Sequence, residues 1–285
     1  MRTDVGPAVG RRRLAAELRR LRTAANKTIH DVAEALECSA GKISRIETAM
    51  VSARLQDVRE MLDLYAVGGT ERDDLLNLVR RARQRAWWHE FADVVPPQSA
   101  TFFGLEDGAA SIAEHQVVLV PGLLQTAEYA RALLNAPRPL SPDTVSRRLE
   151  LRLRRQKLLD GSDVPTYHAV LDEAVLHRVV GGQQVMAAQL RHLVDMAERP
   201  RVTIQVLPFD TDVHTGLGMA FVIFRFADPT EPEIVYLEQL TGNSYVEQPA
   251  DVGIYLSTFA DACERALTPE DSVRAIARRA DAVLG

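Results

Sequence analysis

A chain of 285 residues that is 46% hydrophobic and 26% charged can bury more than one core without staples, which excludes a disulfide-dense mini-protein and a largely disordered chain. The net charge of -5 hides an asymmetry: residues 1–90 carry 17 Lys and Arg against 13 Asp and Glu, a balance of +4, and the remainder stands at -9, so a basic head can attract phosphate although the whole is acidic. The two cysteines, Cys38 and Cys263, have neither metal-ligand nor redox spacing and read as small buried hydrophobes; no apolar run approaches the ~20 residues of a bilayer span, and residues 1–10 lack a signal-peptide core, so the expectation is a cytoplasmic protein with no membrane contact.

Residues 11–66 read as short helices, with Leu14, Leu18 and Leu21 at helical spacing and a second apolar set at Val32, Ala33 and Leu36, closed by Gly68 and Gly69. A further helix is expected from Thr70, capped with Asp73, through Leu75, Leu76 and Val79 to about Trp88. It is basic at its end through Arg80, Arg81, Arg83 and Arg85, and Val95-Pro96-Pro97-Gln98 then breaks the chain. Trp87 and Trp88 would anchor this helix on the larger domain or in a dimer contact, with simple packing as the commoner outcome. The expected organisation is an all-α domain over 1–67, a linker helix with a Pro-rich connection over 68–100, and a mixed domain over 101–285.

In that mixed domain the pattern predicts strands over 111–120, 166–171, 202–207, 219–226 and 234–237, and helices over 126–134, 141–159, 173–179, 183–198 and 250–266. A last helix is capped by Thr268-Pro269-Glu270-Asp271. The fold class is therefore α+β.

The segment from Thr28 to Glu47 carries the most information. Thr28 with Asp31 can box the start of one helix, Ser39 can cap a second only three residues after Leu36, and Ile43 and Ile46 bury its inner face. Ala33 must be small where the two helices cross. Ala40, Gly41, Lys42, Ser44 and Arg45 are left outward on a short helix whose free first turn suits the major groove.

This segment resembles the helix-turn-helix of phage-repressor-like, xenobiotic-response-element (XRE) type regulators, with the similarity running from about Leu14 to Tyr65. The resemblance implies a structural pair between Arg22 and Glu47 and a duplex-DNA interface comprising Thr28, Ser39, Ala40, Gly41, Lys42, Ser44, Arg45 and Arg54. Arg45 is the expected base reader, able to fork onto guanine O6 and N7, with Lys42, Ser44 and Arg54 expected on phosphates; the alternative for each is a solvated surface side chain. The chain departs from the family at Ile29, where Gln is usual, and at Glu37, where Gly is usual and a left-handed backbone would cost about 1–2 kcal/mol. One short recognition helix reads few bases, so a homodimer spanning paired half-sites is expected.

The larger domain contains Val120-Pro121-Gly122-Leu123-Leu124-Gln125-Thr126-Ala127-Glu128-Tyr129-Ala130-Arg131, then Arg152-Leu153-Arg154-Arg155-Gln156, Leu171-Asp172-Glu173-Ala174 and Val206-Leu207-Pro208. This ordered series, over about 103–280, resembles the domain of unknown function that follows the helix-turn-helix in actinobacterial Scr1-type antitoxin-like (WhiJ-like) regulators. The resemblance implies a sensor of a small companion protein encoded nearby, and no known catalysis.

Glu114, Gln125, Tyr129, Glu173, Glu238 and Tyr245 lie on or near apolar stretches and are the candidate partner- or effector-binding set. Either they form internal networks with Arg131, Arg152 or Arg155, or some line a cleft. Glu173, His177 and His168 fall short of a metal-ligand set, Gly216-x-Gly218 reads as a strand turn, and neither a Gly-x-Ser-x-Gly elbow nor a His-Glu-x-x-His helix occurs. No catalytic residue, metal or cofactor is expected.

Overall fold

The computed structural model describes residues 7–82, 86–96, 99–135, 140–161, 164–228 and 231–285. They fall into two compact units, one ending at His89 and the other beginning at Glu90.

The first unit is helical: α1 (Pro7–Ala24), α2 (Ile29–Ala35), α3 (Ala40–Glu47), α4 (Leu55–Leu64) and α5 (Gly69–Ala82). Its core takes Leu14, Leu18 and Leu21 from α1, Val32 and Ala33 from α2, Ile43 and Ile46 from α3, and Val58, Met61 and Leu62 from α4. Leu75, Leu76, Leu78 and Val79 of α5 join the same core. The segment expected as a linker helix is therefore the fifth helix of this unit. It opens at Gly69, so Thr70 lies inside it instead of capping it, and Arg83 and Arg85 fall outside the described residues. Trp87 and Trp88 belong to a 3-10 turn (Trp87–Phe91), their rings edge-on with centroids 5.6 Å apart.

The starts of α2 and α3 follow the sequence closely. Thr28 accepts from the Asp31 backbone N–H while the Asp31 carboxylate accepts from the Thr28 N–H, a complete capping box, and Ser39 accepts from Lys42 N–H. The helix ends are less economical. Asn26, Glu37, Ala49 and Ala66 hold positive φ of 53°, 48°, 58° and 56° just past α1, α2, α3 and α4, a conformation that glycine adopts without strain. After α2, Cys38 N–H bonds Ala33 C=O and Glu37 N–H bonds Glu34 C=O; after α4, Val67 N–H bonds Leu62 C=O and Ala66 N–H bonds Asp63 C=O. These paired bonds force the left-handed residue whatever its side chain.

The second unit is a six-stranded sheet of order β3-β2-β1-β4-β5-β6 with helices on both faces. In chain order it runs α6 (Ser99–Gly108), β1 (Ser111–Gln116), α7 (Ala127–Asn135), α8 (Pro142–Gln156), β2 (Thr166–Asp172), α9 (Ala174–His177), α10 (Gln183–Ala197), β3 (Val202–Leu207), β4 (Phe221–Arg225), β5 (Ile234–Gln239), β6 (Gly242–Val246), α11 (Pro249–Arg265) and α12 (Pro269–Ala282). Strands β1, β2 and β3 are parallel and joined by helical crossovers; β4, β5 and β6 add antiparallel as a meander.

Side-chain alternation splits the interior into two layers. Tyr167, Ala169 and Leu171 of β2 face Leu190 and Leu193 of α10 and Ile276 and Ala280 of α12, whereas Val170 joins Ala113, Phe221, Ile223 and Val235 against Val252, Phe259 and Ala262 of α11. The whole is α+β, as the sequence pattern indicates. The differences are local: β1 stops at Gln116, before the Val120 expected, and α6 and β6 are additional elements. Both cysteines are free and half-buried, where full burial was expected.

Replacing Ala66, whose side chain is exposed, by Gly should relieve backbone strain without removing a core contact. The expected gain is about 1 kcal/mol, with a similar gain for Glu37→Gly, seen as a higher urea midpoint followed by emission of Trp87 and Trp88. An unchanged or lower midpoint for both would mean that these turns store no strain.

Candidate nucleic-acid interface

Helix α3 has eight residues, too short to persist in water by itself, so its neighbours must hold it. Its inner edge is fixed by burial of Ile43 and Ile46 and its C-terminal end by Glu47, which is buried. Arg22 at the end of α1 donates from Nε to Glu47 Oε1 at 2.8 Å and from Nη2 to Glu47 Oε2 at 3.0 Å. The same guanidinium donates from Nη1 to the Lys27 carbonyl at 2.8 Å, tying in the turn before α2. These bonds to Glu47 hold the guanidinium proton more firmly than usual, and burial together with the Glu47 charge pushes the Tyr65 phenol upward.

With α3 fixed, a groove runs between the start of α2 and the first turn of α3, lined by Arg22, Lys27, Thr28, Ile29, His30, Ala40, Gly41 and Ser44. Thr28, Ser39 and Gly41 are exposed, and Ala40 and Ser44 half-exposed. Open space surrounds Gly41 where a side chain would project, so this glycine answers no packing need inside the chain. Arg45 is exposed and its side chain has no hydrogen-bond or ion-pair partner among the described residues. Arg54 is exposed at the N-cap of α4. Ile29, where glutamine was the usual residue, turns partly into the core.

Lys42 differs from the expectation. Its ammonium lies 2.9 Å from Asp57 Oδ1 on α4, so the amine counted as a free phosphate clamp is already engaged inside the unit. Asp57 itself was missed. The available signal was a carboxylate on the α4 face that also carries Val58, Met61 and Leu62.

The six candidate residues of the second unit do not converge on one cavity. Glu114 is buried and accepts from the Tyr167 hydroxyl at 2.5 Å and from Gln116 at 2.9 Å. Gln125 is buried, donating to Val120 C=O and accepting from Arg152 Nη1 at 2.6 Å. Tyr129 is buried and its hydroxyl accepts from Val120 N–H at 3.3 Å. Glu173 accepts from Phe209 N–H and pairs with His177 at 3.2 Å, while His168 turns to Gln205 at 2.8 Å. Glu238 is exposed on β5, and Tyr245 on the edge strand β6 packs on Tyr236.

Of the two readings left open for this set, the internal network describes Glu114, Gln125 and Tyr129. Arg155 adds a buried bond to Glu106 at 2.7 Å, and Gln156 and Gln189 close the loop around Gln125 from α8 and α10, whereas Arg131 is exposed. Burial outweighs the attraction of Arg155 and pushes the Glu106 carboxyl up to about 7, and burial likewise raises Glu114. Arg152 is lowered to about 10 by burial and by the neighbouring Arg155 charge. A cavity on the α11 side of the sheet is lined by Thr215, Met219, Phe221, Val246, Asp251, Ile254, Tyr255 and Thr258, none of them in the expected set.

Two crossed short helices with a capped, exposed second member define the class: a helix-turn-helix DNA-binding regulator. A helix-turn-helix domain family matches residues 13–75, a span that reaches into α5. Residues 99–278 match the domain of unknown function DUF5753, and the chain belongs to that family. No curated protein and no solved structure matches the chain. Among the described residues no helix is long and apolar enough to cross a membrane, and no group of three or more His, Cys, Asp or Glu is arranged to hold a metal ion.

Arg22→Met should leave Glu47 buried and unpaired, at a cost of about 3–5 kcal/mol. Urea denaturation of the full chain measures it; a loss below about 1 kcal/mol would mean that the pair is solvated and does not lock α3.

Proposed function

We propose that the chain is a sequence-specific transcription regulator of the XRE type that binds duplex DNA as a homodimer in the cytoplasm, and that its second unit receives a signal from a small companion protein. The observation that carries this reading is Arg45: an exposed guanidinium with no partner among the described residues, on a helix whose neighbouring outward positions are Ala40, Gly41 and Ser44. A fork of donors reads guanine in the major groove, and small flanking residues let the helix approach closely. Thr28, Ser39, Ser44 and Arg54 supply phosphate contacts around it. Half-sites about 34–36 Å apart would be occupied by the two copies.

A second reading draws support from the loop between β3 and β4. There Phe209, Val213, Leu217 and Met219 are exposed, an apolar surface of the kind that protein partners cover. In that reading the chain is an antitoxin-like module that sequesters its companion and uses DNA binding for autoregulation. We assign it no catalytic reaction.

The test is Arg45→Ala on a set of single-base operator variants selected with the wild-type chain. The expected outcome is a loss of about 1–3 kcal/mol confined to one base position, with preference there relaxed. An equal loss on every sequence would make Arg45 a phosphate clamp, and no loss would remove it from the interface.

A further inference from the structure

The DNA face of α3 carries two cations, Arg45 and Lys42, and among the described residues only Arg45 has no side-chain partner. Lys42 sits in the first turn of α3, its ammonium 2.9 Å from Asp57 Oδ1 in the first turn of α4. The Lys42 side chain is 32% exposed and the Asp57 side chain 13%, so the pair is half-sheltered. Asp57 Oδ2 is buried and has no hydrogen-bond partner among the described residues, so the Lys42 ammonium is the one side-chain bond this carboxylate makes there. Breaking the bond would leave a poorly solvated charge, which keeps the ammonium in place.

We propose that Asp57 is a positioning residue that withholds Lys42 from DNA phosphate and so sets the sequence-independent affinity low. This rests on the DNA-binding reading of α3. Non-specific affinity rises with each cation that displaces a counterion from the duplex, and an ammonium already neutralised by a carboxylate displaces none. The arrangement subtracts one phosphate contact beside the base-reading Arg45 without altering Arg45 itself. Discrimination then rests on the guanidinium fork and less on general attraction to the backbone.

The experiment titrates the full-length chain with a mixed-sequence duplex over a salt series. The double variant Lys42→Gln with Asp57→Asn, which removes both charges of the pair, should leave affinity and salt slope close to wild type. Asp57→Asn should steepen the slope of log affinity against log salt by about 0.9 and raise affinity about five-fold at 0.15 M salt, one counterion's worth.

A slope flattened by about 0.9 in the double variant would overturn the proposal, because the amine would then be on phosphate in the wild type. So would an Asp57→Asn gain that survives in the double variant, which would be the effect of bulk charge. Should Asp57→Asn lose its melting transition, the double variant decides by itself. Wild-type chain that fails to bind at low salt overturns the DNA reading and this inference together; wild-type binding with no change of slope in Asp57→Asn overturns this inference alone.

Discussion

The position of helix α3 depends on one buried ion pair. Arg22 and Glu47 are 25 residues apart in sequence, and their contact joins the end of α1 to the end of α3. Burying both charges is costly, and the cost is offset because the guanidinium makes three N–H contacts to the carboxylate and a further one to the Lys27 carbonyl. A pair of this kind adds little to net stability compared with apolar packing, but it fixes geometry. Here it sets where the C-terminal end of an eight-residue helix lies, while Ile43 and Ile46 set its roll. The outward positions of Gly41, Ser44 and Arg45 follow from those two constraints.

The second unit spends its polar side chains in a different way. The loop from Val120 to Thr126 crosses the interior with few backbone bonds of its own, and side chains from α8 and α10 supply the missing ones. Gln156 donates to the Gly122 and Gln125 carbonyls, Gln189 donates to Leu124 C=O and accepts from Thr126 N–H, and Arg152 holds the Gln125 side chain. Arg155 stacks near Phe102 while it binds Glu106. A buried loop needs each backbone group satisfied, so residues that look like ligand contacts in sequence serve instead as internal donors and acceptors.

Local features were legible in the sequence and non-local ones were not. The Thr28–Asp31 box, the Ser39 cap, the Thr268 cap and strand β3 follow from spacings of a few residues, and the structure has them where the pattern puts them. The positive φ at Glu37 falls in the four-residue connection between α2 and α3, at the position where the resemblance puts a glycine. Helix α5 looked like a linker because its apolar face was visible but the core it joins was not. Helix α6 escaped because its Phe103-Gly104-Leu105-Glu106 run is buried almost all round and so shows no amphipathic period. Strand β6 is half-exposed along its length and lacks alternation. The Lys42–Asp57 contact spans 15 residues between two helices, and a lysine on a basic face gives no hint that its charge is already matched.

Backbone hydrogen exchange of the full-length chain, with and without a duplex that it binds, tests the central claim most directly: that the face of α3 held by Arg22 and Glu47 is what meets DNA. Exchange should slow at Gly41 to Arg45 and at Thr28 on adding the duplex, while the β1 to β3 core of the second unit stays as it was. Protection confined to the second unit, with the first turn of α3 unchanged, would contradict it.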